Sequence, residues 1–381
     1  MFERLYTSLQ RFDWLLLLSV CILFAFGISA IYSVALSRDL GFALMSRHLT
    51  AFAIGCVLLV VLTQANYIQL RNYGRGLYLL GVVMMVAVLI FGTTLRGTTG
   101  WFIVGPFSFQ PVEFMKLALV VQFARYFGEH ARRRFGFREI GESGLLLLIP
   151  VVLVLLQPDL GSASLLIGTW VVMLFFAGIR VQHVFILLSS AVVVALLAWG
   201  FVLQDYQKER VNVFLHPERD VLGEGYNISQ AQIAIGSGQW FGRGLGFGSQ
   251  SQLKFLPEAQ TDFVFAVIAE ELGFVGVLVV FVAIGLLFYR LLLVALRSRD
   301  NFSSFLAIGI FAIFLVQMSV NIGVNLAILP ATGVALPFVS YGGSSLLISL
   351  CFIGIVQSVV VHEHPGDGVH RSWYTREGRQ T

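Results

Sequence analysis

Apolar runs, most of them long enough to cross a bilayer, recur along the 381 residues and leave little chain between them. They fall near Trp14–Leu36, His48–Leu62, Leu77–Gly92, Val112–Phe127, Gly144–Leu156, Leu160–Gly178, Val184–Leu203, Asp262–Leu293, Phe305–Leu329 and Ser340–Val361. A spanning helix needs about 20 apolar residues, so the fourth and fifth runs are short for a full crossing. The pattern predicts an all-α polytopic membrane protein of about ten transmembrane helices. Composition agrees. Charged residues make up 12% of the chain and the mean hydropathy is +0.84, whereas a soluble domain carries about a quarter charged residues. No repeat or linker divides the chain, so residues 1–381 are expected to form one integral-membrane domain.

The net charge of +4 does not point to nucleic acid. Membrane proteins run basic because arginine collects on the cytoplasmic side. With the N-terminus inside, Arg71, Arg75, Arg125, Arg132, Arg133, Arg134, Arg290, Arg297 and Arg299 all fall in cytoplasmic segments. The short outer loops hold only Arg38, Arg47 and Arg96. Both termini are then cytoplasmic in the cytoplasmic membrane. A long loop, Gln204–Thr261, faces outward, and a polar tail, Glu363–Thr381, faces inward. The first apolar run follows Arg4 and Arg11 and lacks a cleavage signal, so it reads as an uncleaved helix. Cys21, Cys56 and Cys351 all lie inside apolar runs with no CxxC partner, which gives neither a disulfide framework nor a metal site. His362 and His364 form an HxH pair that reads as solvated tail before it reads as a metal site.

The long outer loop carries a glycine series, Gly236, Gly238, Gly242, Gly244, Gly246 and Gly248. It follows no strand and has no Walker lysine, so it is not a phosphate cradle of the ATP type. Tight turns and close backbone packing at the membrane surface account for it. Near the end of the loop Pro257 stops whatever precedes it, after which Thr261 or Asp262 can cap the helix that follows. Asp262 therefore sits where a wet loop meets a membrane helix. It is either only a cap or a carboxylate placed to act on a lipid-linked substrate.

Other charges enter the membrane. Glu113 and Lys116, at i and i+3, share a helix face and can form a structural ion pair, although intramembrane ionisable groups are also functional candidates. Asp159 can cap the sixth span or line the outer cavity. Glu270 and Glu271 lie about two turns inside Asp262 and need partners there. Outside, Arg47, Arg96, Arg210 and Arg219 share a surface with Asp159, Asp220, Glu258 and Asp262. The run Val339-Ser-Tyr-Gly-Gly-Ser-Ser345, with Ser340 and Ser344, follows the breaks at Pro330 and Pro337 and is tolerated at membrane depth only if covered by protein or lining a wet cavity. A carboxylate base with nearby cations suits a reaction on a phosphorylated lipid.

The segment Phe255-Leu-Pro-Glu-Ala-Gln-Thr-Asp-Phe-Val-Phe-Ala-Val-Ile-Ala-Glu-Glu-Leu-Gly273 closely resembles the signature of the SEDS family (shape, elongation, division and sporulation). So do Phe109-Gln-Pro-Val-Glu-Phe-Met-Lys116, Gln157-Pro-Asp-Leu-Gly161, Asn321-Ile-Gly323 and Leu336-Pro-Phe-Val-Ser-Tyr-Gly-Gly-Ser-Ser345. Ser249-Gln-Ser-Gln-Leu-Lys-Phe255 is more similar to the elongation branch, RodA, than to the division branch, FtsW. Gln260 stands where the family usually has His. The resemblance implies a ten-helix peptidoglycan glycosyltransferase that polymerises lipid II on the outer face of the cytoplasmic membrane. It places the essential aspartate at Asp262, the Glu/Lys pair at Glu113 and Lys116, and a further aspartate at Asp159. It also implies a partner, a class B penicillin-binding protein acting as transpeptidase.

In the mechanism this implies, Asp262 takes the proton of the acceptor sugar 4-hydroxyl, and that oxygen attacks the donor anomeric carbon with inversion. Undecaprenyl pyrophosphate leaves, steadied by Arg210 and other outer cations. Glu258, Ser340 and Ser344 are candidate substrate contacts. A divalent cation could steady the diphosphate equally, although no cage for one is visible. Two rivals stand beside this reading: a lipid II flippase, disfavoured by the absence of an inverted repeat, and a non-catalytic scaffold that activates a transpeptidase.

Overall fold

Continuous apolar sequence with polar ends gives long helices, and these overrun the apolar runs because backbone hydrogen bonding continues into the polar turns. A computed structural model describes residues 10–37, 41–95, 97–105, 107–131, 135–180, 182–187, 189, 193, 199–200, 208, 212–214, 216, 220 and 223–363. Its helices run α1 Trp14–Ser37, α2 Gly41–Gln64, α3 Ile68–Phe91, α4 Pro111–His130, α5 Phe137–Leu156, α6 Leu160–Phe176, α7 Glu224–Ser237, α8 Ser249–Gln252, α9 Val264–Arg297, α10 Asn301–Asn325 and α11 Gly343–His362. Among the described residues seven are long and apolar enough to cross a membrane, one of them α5, which is longer than its apolar run suggested. The short α6 and the charged α4, with Glu113, Lys116, Arg125 and Glu129, account for two more expected spans. The segment expected at Val184–Leu203 falls mostly outside the described residues.

The helical membrane fold is as expected, with one small sheet added to it. Between α3 and α4 the chain forms an antiparallel sheet, β1 Thr93–Leu95, β2 Thr98–Val104 and β3 Phe107–Phe109, in sequential order. Thr93 pairs with Trp101 and Phe102 with Phe109. Threonine, aromatic and β-branched residues favour strands, and Gly97, at φ +80°, supplies the turn.

Helices α10 and α11 are central, with 78% and 83% of their apolar windows buried, against 22% for α2 and 28% for α3. Small residues let the helices meet: a Cβ added at Gly354 on α11 would lie 2.8 Å from Leu59 O on α2. At one end of the bundle Asp13 caps α1 through Leu16 N and binds Arg290 Nη2 of α9 at 2.7 Å, while Gln357 of α11 bonds its backbone on both sides. Tyr67 donates to Asp300 or Glu363 at the same end. Burial and the two carboxylates push that phenol upward, so it stays protonated.

The long loop before α9 has structure of its own. It holds α7 and α8, and its glycine stretch packs into α9, which is two helices joined across a break at Gly273 (φ +66°, ψ −165°). In an unbroken helix Phe274 N and Val275 N would donate to the carbonyls of Glu270 and Glu271. Here they donate instead to Gln239 O and Trp240 O, at 2.8 and 3.1 Å. The two released carbonyls accept from Arg243 N and Gly244 N at 2.9 and 3.0 Å. The loop thus replaces both bonds of the broken turn on both sides, as backbone at membrane depth requires. Close approach explains the glycines: a Cβ at Gly242 would collide with Glu271 O.

Candidate active site

Six chain segments meet at the end of the bundle away from Asp13: the starts of α4, α6, α9 and α11, the end of α10, and the loop between α10 and α11. Asp262 lies in the turn that feeds α9. Glu258 adopts φ +50°, and its carbonyl accepts from Thr261 N, Asp262 N and Phe263 N. Thr261 Oγ1 donates to Glu258 Oε2 at 3.0 Å. Asp262 is half-buried and Glu258 likewise.

Asp262 stands one residue before the N-cap position of the helix it precedes. Helix α9 starts at Val264 with Phe263 as its N-cap, a residue with no capping side chain. The cap comes from another helix: Asn325 Oδ1 accepts from Ala266 N at 3.1 Å. Asn325 Nδ2 donates to the Asp262 carbonyl at 2.9 Å, and Asn321 Nδ2 donates to the same oxygen at 2.9 Å. Both asparagines are fully buried. The two preceding carbonyls are held as well, that of Thr261 by Ser340 Oγ at 2.6 Å and that of Gln260 by Tyr341 N at 2.8 Å. Three successive peptide carbonyls before α9 are therefore fixed by α10 and by the turn before α11, which sets the direction in which the Asp262 side chain leaves the backbone.

The loop between α10 and α11 closes on the same carboxylate. Gly333 sits at φ +68°, and a Cβ there would lie 4.0 Å from Asp262 Oδ2. Beside it, Gly161 of α6 packs so tightly on Thr332 O that any side chain would collide. Asp159, one of two readings open from sequence, is the cap of α6: Oδ1 accepts from Ser162 N at 2.9 Å and Oδ2 from Ser162 Oγ at 2.7 Å. Gln110 Nε2, at the head of α4, also reaches Asp159 Oδ2 at 3.3 Å.

Ser340 and Ser344 were expected to touch substrate, and their hydroxyls are committed to protein. Ser340 Oγ accepts from Leu336 N at 2.8 Å besides donating to Thr261. Ser344 Oγ donates to Ser108 O at 2.9 Å and accepts from Gln110 N at 3.3 Å, joining α11 to the sheet and α4. Lys116 Nζ meets Glu113 Oε1 at 2.8 Å, with the two side chains 2% and 11% exposed. That is the buried pair expected from their spacing, one to two turns below Gln110. Arg210 lies outside the described residues, as do Arg96 and Arg219 on the same expected surface and His364 of the HxH pair.

Glu270 and Glu271 turn away from Asp262. Glu270 caps α8, accepting from Gln250 N at 2.8 Å and Ser251 N at 3.2 Å. Glu271 Oε1 accepts from Ser33 Oγ on α1 and from Ser251 Oγ. Among the described residues no group of three or more His, Cys, Asp and Glu side chains is placed to hold a metal. Three residues of this end escaped the sequence reading as site residues. Asn321 and Asn325 left a signal, two amides at i and i+4 inside an apolar span, where polar groups need a specific partner. Buried His48, whose ring nitrogens find no partner among the described residues, stacks between Phe24 and Tyr341.

The motifs expected to act together therefore converge in space, and comparison with known proteins gives that convergence a family. The cell cycle protein family that includes FtsW, RodA and SpoVE matches residues 8–364. The chain belongs to this family. Over 352 residues it is 39% identical to peptidoglycan glycosyltransferase MrdB of Escherichia coli (strain K12), covering 92% of this chain and 94% of that one. Stage V sporulation protein E of Bacillus subtilis (strain 168) is 36% identical over 351 residues, 91% and 94% of the two chains. Two solved structures share the fold. One comes from work on structural coordination of polymerization and crosslinking by a peptidoglycan synthase complex, with TM-score 0.80, 32% identity and coverage of 93% and 99%. The other is the rod shape determining protein RodA of Thermus thermophilus, with TM-score 0.69, 30% identity and coverage of 92% and 96%.

Proposed function

We propose that this chain is a peptidoglycan glycosyltransferase that polymerises lipid II into β-1,4 glycan strands for cell-wall elongation and releases undecaprenyl pyrophosphate. The observation that carries the reading is the fixed placement of Asp262. It is a half-buried carboxylate at the mouth of a membrane helix whose peptide is held from two other elements. A base must be held within reach of the proton it takes, and positioning of that kind can supply much of a rate enhancement. Membership of a family whose curated members include peptidoglycan glycosyltransferases supplies the substrate class.

In this proposal Asp262 accepts the proton of the acceptor 4-hydroxyl as its oxygen attacks the donor anomeric carbon. The bond to the diphosphate breaks, and the electron pair leaves with undecaprenyl pyrophosphate. Glu258, beside Asp262 in the same turn, orients the acceptor. The Glu113–Lys116 pair and Arg210 face the donor's diphosphate, whose developing charge cations stabilise. Asp159, Ser340 and Ser344 hold the surrounding backbone. The Asp262 end faces outward from the cytoplasmic membrane, supported by Arg71, Arg125, Arg290, Arg297 and Arg299 lying toward the other end. A class B penicillin-binding protein is the proposed partner, supported by the likeness to a chain of a synthase complex that couples polymerization to crosslinking.

A gel assay of lipid II polymerisation by the purified protein with its transpeptidase partner tests the reading. Wild type makes polymer, and folded Asp262→Ala makes none. Polymer from Asp262→Ala would remove the base role. Movement of labelled lipid II across vesicles without polymer would favour the flippase.

A further inference from the structure

At the end of the bundle opposite Asp262, a cavity of about 480 Å³ opens between the first turn of α3, the last turns of α4 and the start of α10. Sites for small ligands commonly run from about 300 to 1,000 Å³. Three arginines line this one, Arg71, Arg125 and Arg299, together with Glu129 and Asp300. The two carboxylates are already engaged. Glu129 Oε1 accepts from Arg125 Nε at 3.1 Å. Asp300 caps α10 through Ser303 N at 2.8 Å and faces the Tyr67 hydroxyl at 3.0 Å. Arg71 and Arg299 make no ion pair among the described residues. Two guanidinium groups are thus uncommitted, and a third offers its terminal nitrogens. Their planar forks match phosphate oxygens two at a time.

The neighbourhood on α3 indicates where the phosphate comes from. Ile68 and Tyr73, within a turn of Arg71, are 46% and 65% exposed. An exposed aliphatic and an exposed aromatic side chain beside arginine at a helix end is the composition of a membrane–water interface. Basic pockets between transmembrane helices on the arginine-rich side are suited to anionic headgroups.

We propose that this cavity binds the phosphodiester headgroup of an anionic phospholipid from the leaflet opposite the active site. Arg71 and Arg299 grip the phosphate from either side, and Arg125 is held in place by Glu129.

Native mass spectrometry of the full chain in detergent, titrated with phosphatidylglycerol, reads the site directly. Wild type is expected to retain one phosphatidylglycerol about tenfold more tightly than Arg71→Gln/Arg299→Gln, with phosphatidylcholine held equally weakly by both. Arg71→Lys/Arg299→Lys keeps the charge without the fork and falls between them. Gel filtration checks that each variant is folded; Arg299→Gln alone, in the exposed bend before α10, gives the same comparison if the double variant does not fold. Equal phosphatidylglycerol binding by wild type and variant would overturn the assignment. Displacement of the lipid from wild type by inorganic phosphate at millimolar concentration would also overturn it and reassign the cavity to a phosphorylated solute.

Discussion

Asn325 holds both sides of the turn that carries Asp262: its Nδ2 donates to the Asp262 carbonyl at 2.9 Å, and its Oδ1 accepts from Ala266 N at 3.1 Å. One buried amide on α10 thus does for α9 what a serine or aspartate at the N-cap does elsewhere.

Asn325→Ala should therefore damage activity more than stability. The substitution leaves Ala266 N without its partner, a loss of about 1–3 kcal/mol for a buried donor, while Asn321 still holds the Asp262 carbonyl. The expected result is a folded protein with a lowered melting temperature and lipid II polymerisation reduced by roughly tenfold or more, as loss of positioning predicts. Asn325→Asp keeps an acceptor for Ala266 N but sets a buried carboxylate oxygen against the carbonyls of Asp262 and Asn321, so it should recover neither stability nor polymerisation.

Ser340 separates a substrate contact from a positioning role. Its hydroxyl donates to Thr261 O and accepts from Leu336 N. Steady-state kinetics of Ser340→Ala should show kcat reduced with KM for lipid II nearly unchanged. A rise in KM alone would mean that the hydroxyl binds substrate in the ground state.

Gly273 provides a test of the loop that completes α9. Its φ of +66° is strained for any other residue, and the backbone of Gly242 leaves no room for a Cβ. Gly273→Ala should cost about 1–3 kcal/mol in strain and also displace the loop from Glu270 and Glu271. Gly285→Ala, on the same helix with open space around it, should instead stabilise by up to about 1 kcal/mol. Thermal unfolding of both variants in one detergent makes the comparison, and equal melting temperatures would show that the break contributes nothing.

The spans were legible because lipid imposes a single strong rule, long apolar runs as helices, and α1, α9 and α10 obey it. The sheet before α4 was not, because Thr98–Val104 is a short apolar stretch whose strand partners lie in turns read as loop. At the site, position alone left Asp262 open between a cap and a reacting carboxylate, and the family resemblance singled it out. What sequence could not supply was direction. The cap on α9 comes from Asn325, some 60 positions along the chain, and no local pattern encodes a cap across helices. The glycine series was correctly read as close packing, but its partner, the broken turn at Gly273, is visible only when the carbonyls of Glu270 and Glu271 are traced to Arg243 and Gly244.

The buried pair of Glu113 and Lys116 has two readings that a double-mutant cycle separates. Their 2.8 Å contact is almost fully removed from solvent, so breaking it by Lys116→Met strands a carboxylate at a cost of about 3–5 kcal/mol. Glu113→Gln/Lys116→Met removes both charges and should recover much of that stability, giving a coupling of about 0.5–3 kcal/mol in the cycle. Polymerisation is the second readout. If the pair only holds helices, the double variant regains activity along with its melting temperature. If Lys116 faces the donor diphosphate, the double variant is stable and inactive, and activity does not return when the charges are exchanged as Glu113→Lys/Lys116→Glu. The proposal made above for this pair requires the second outcome.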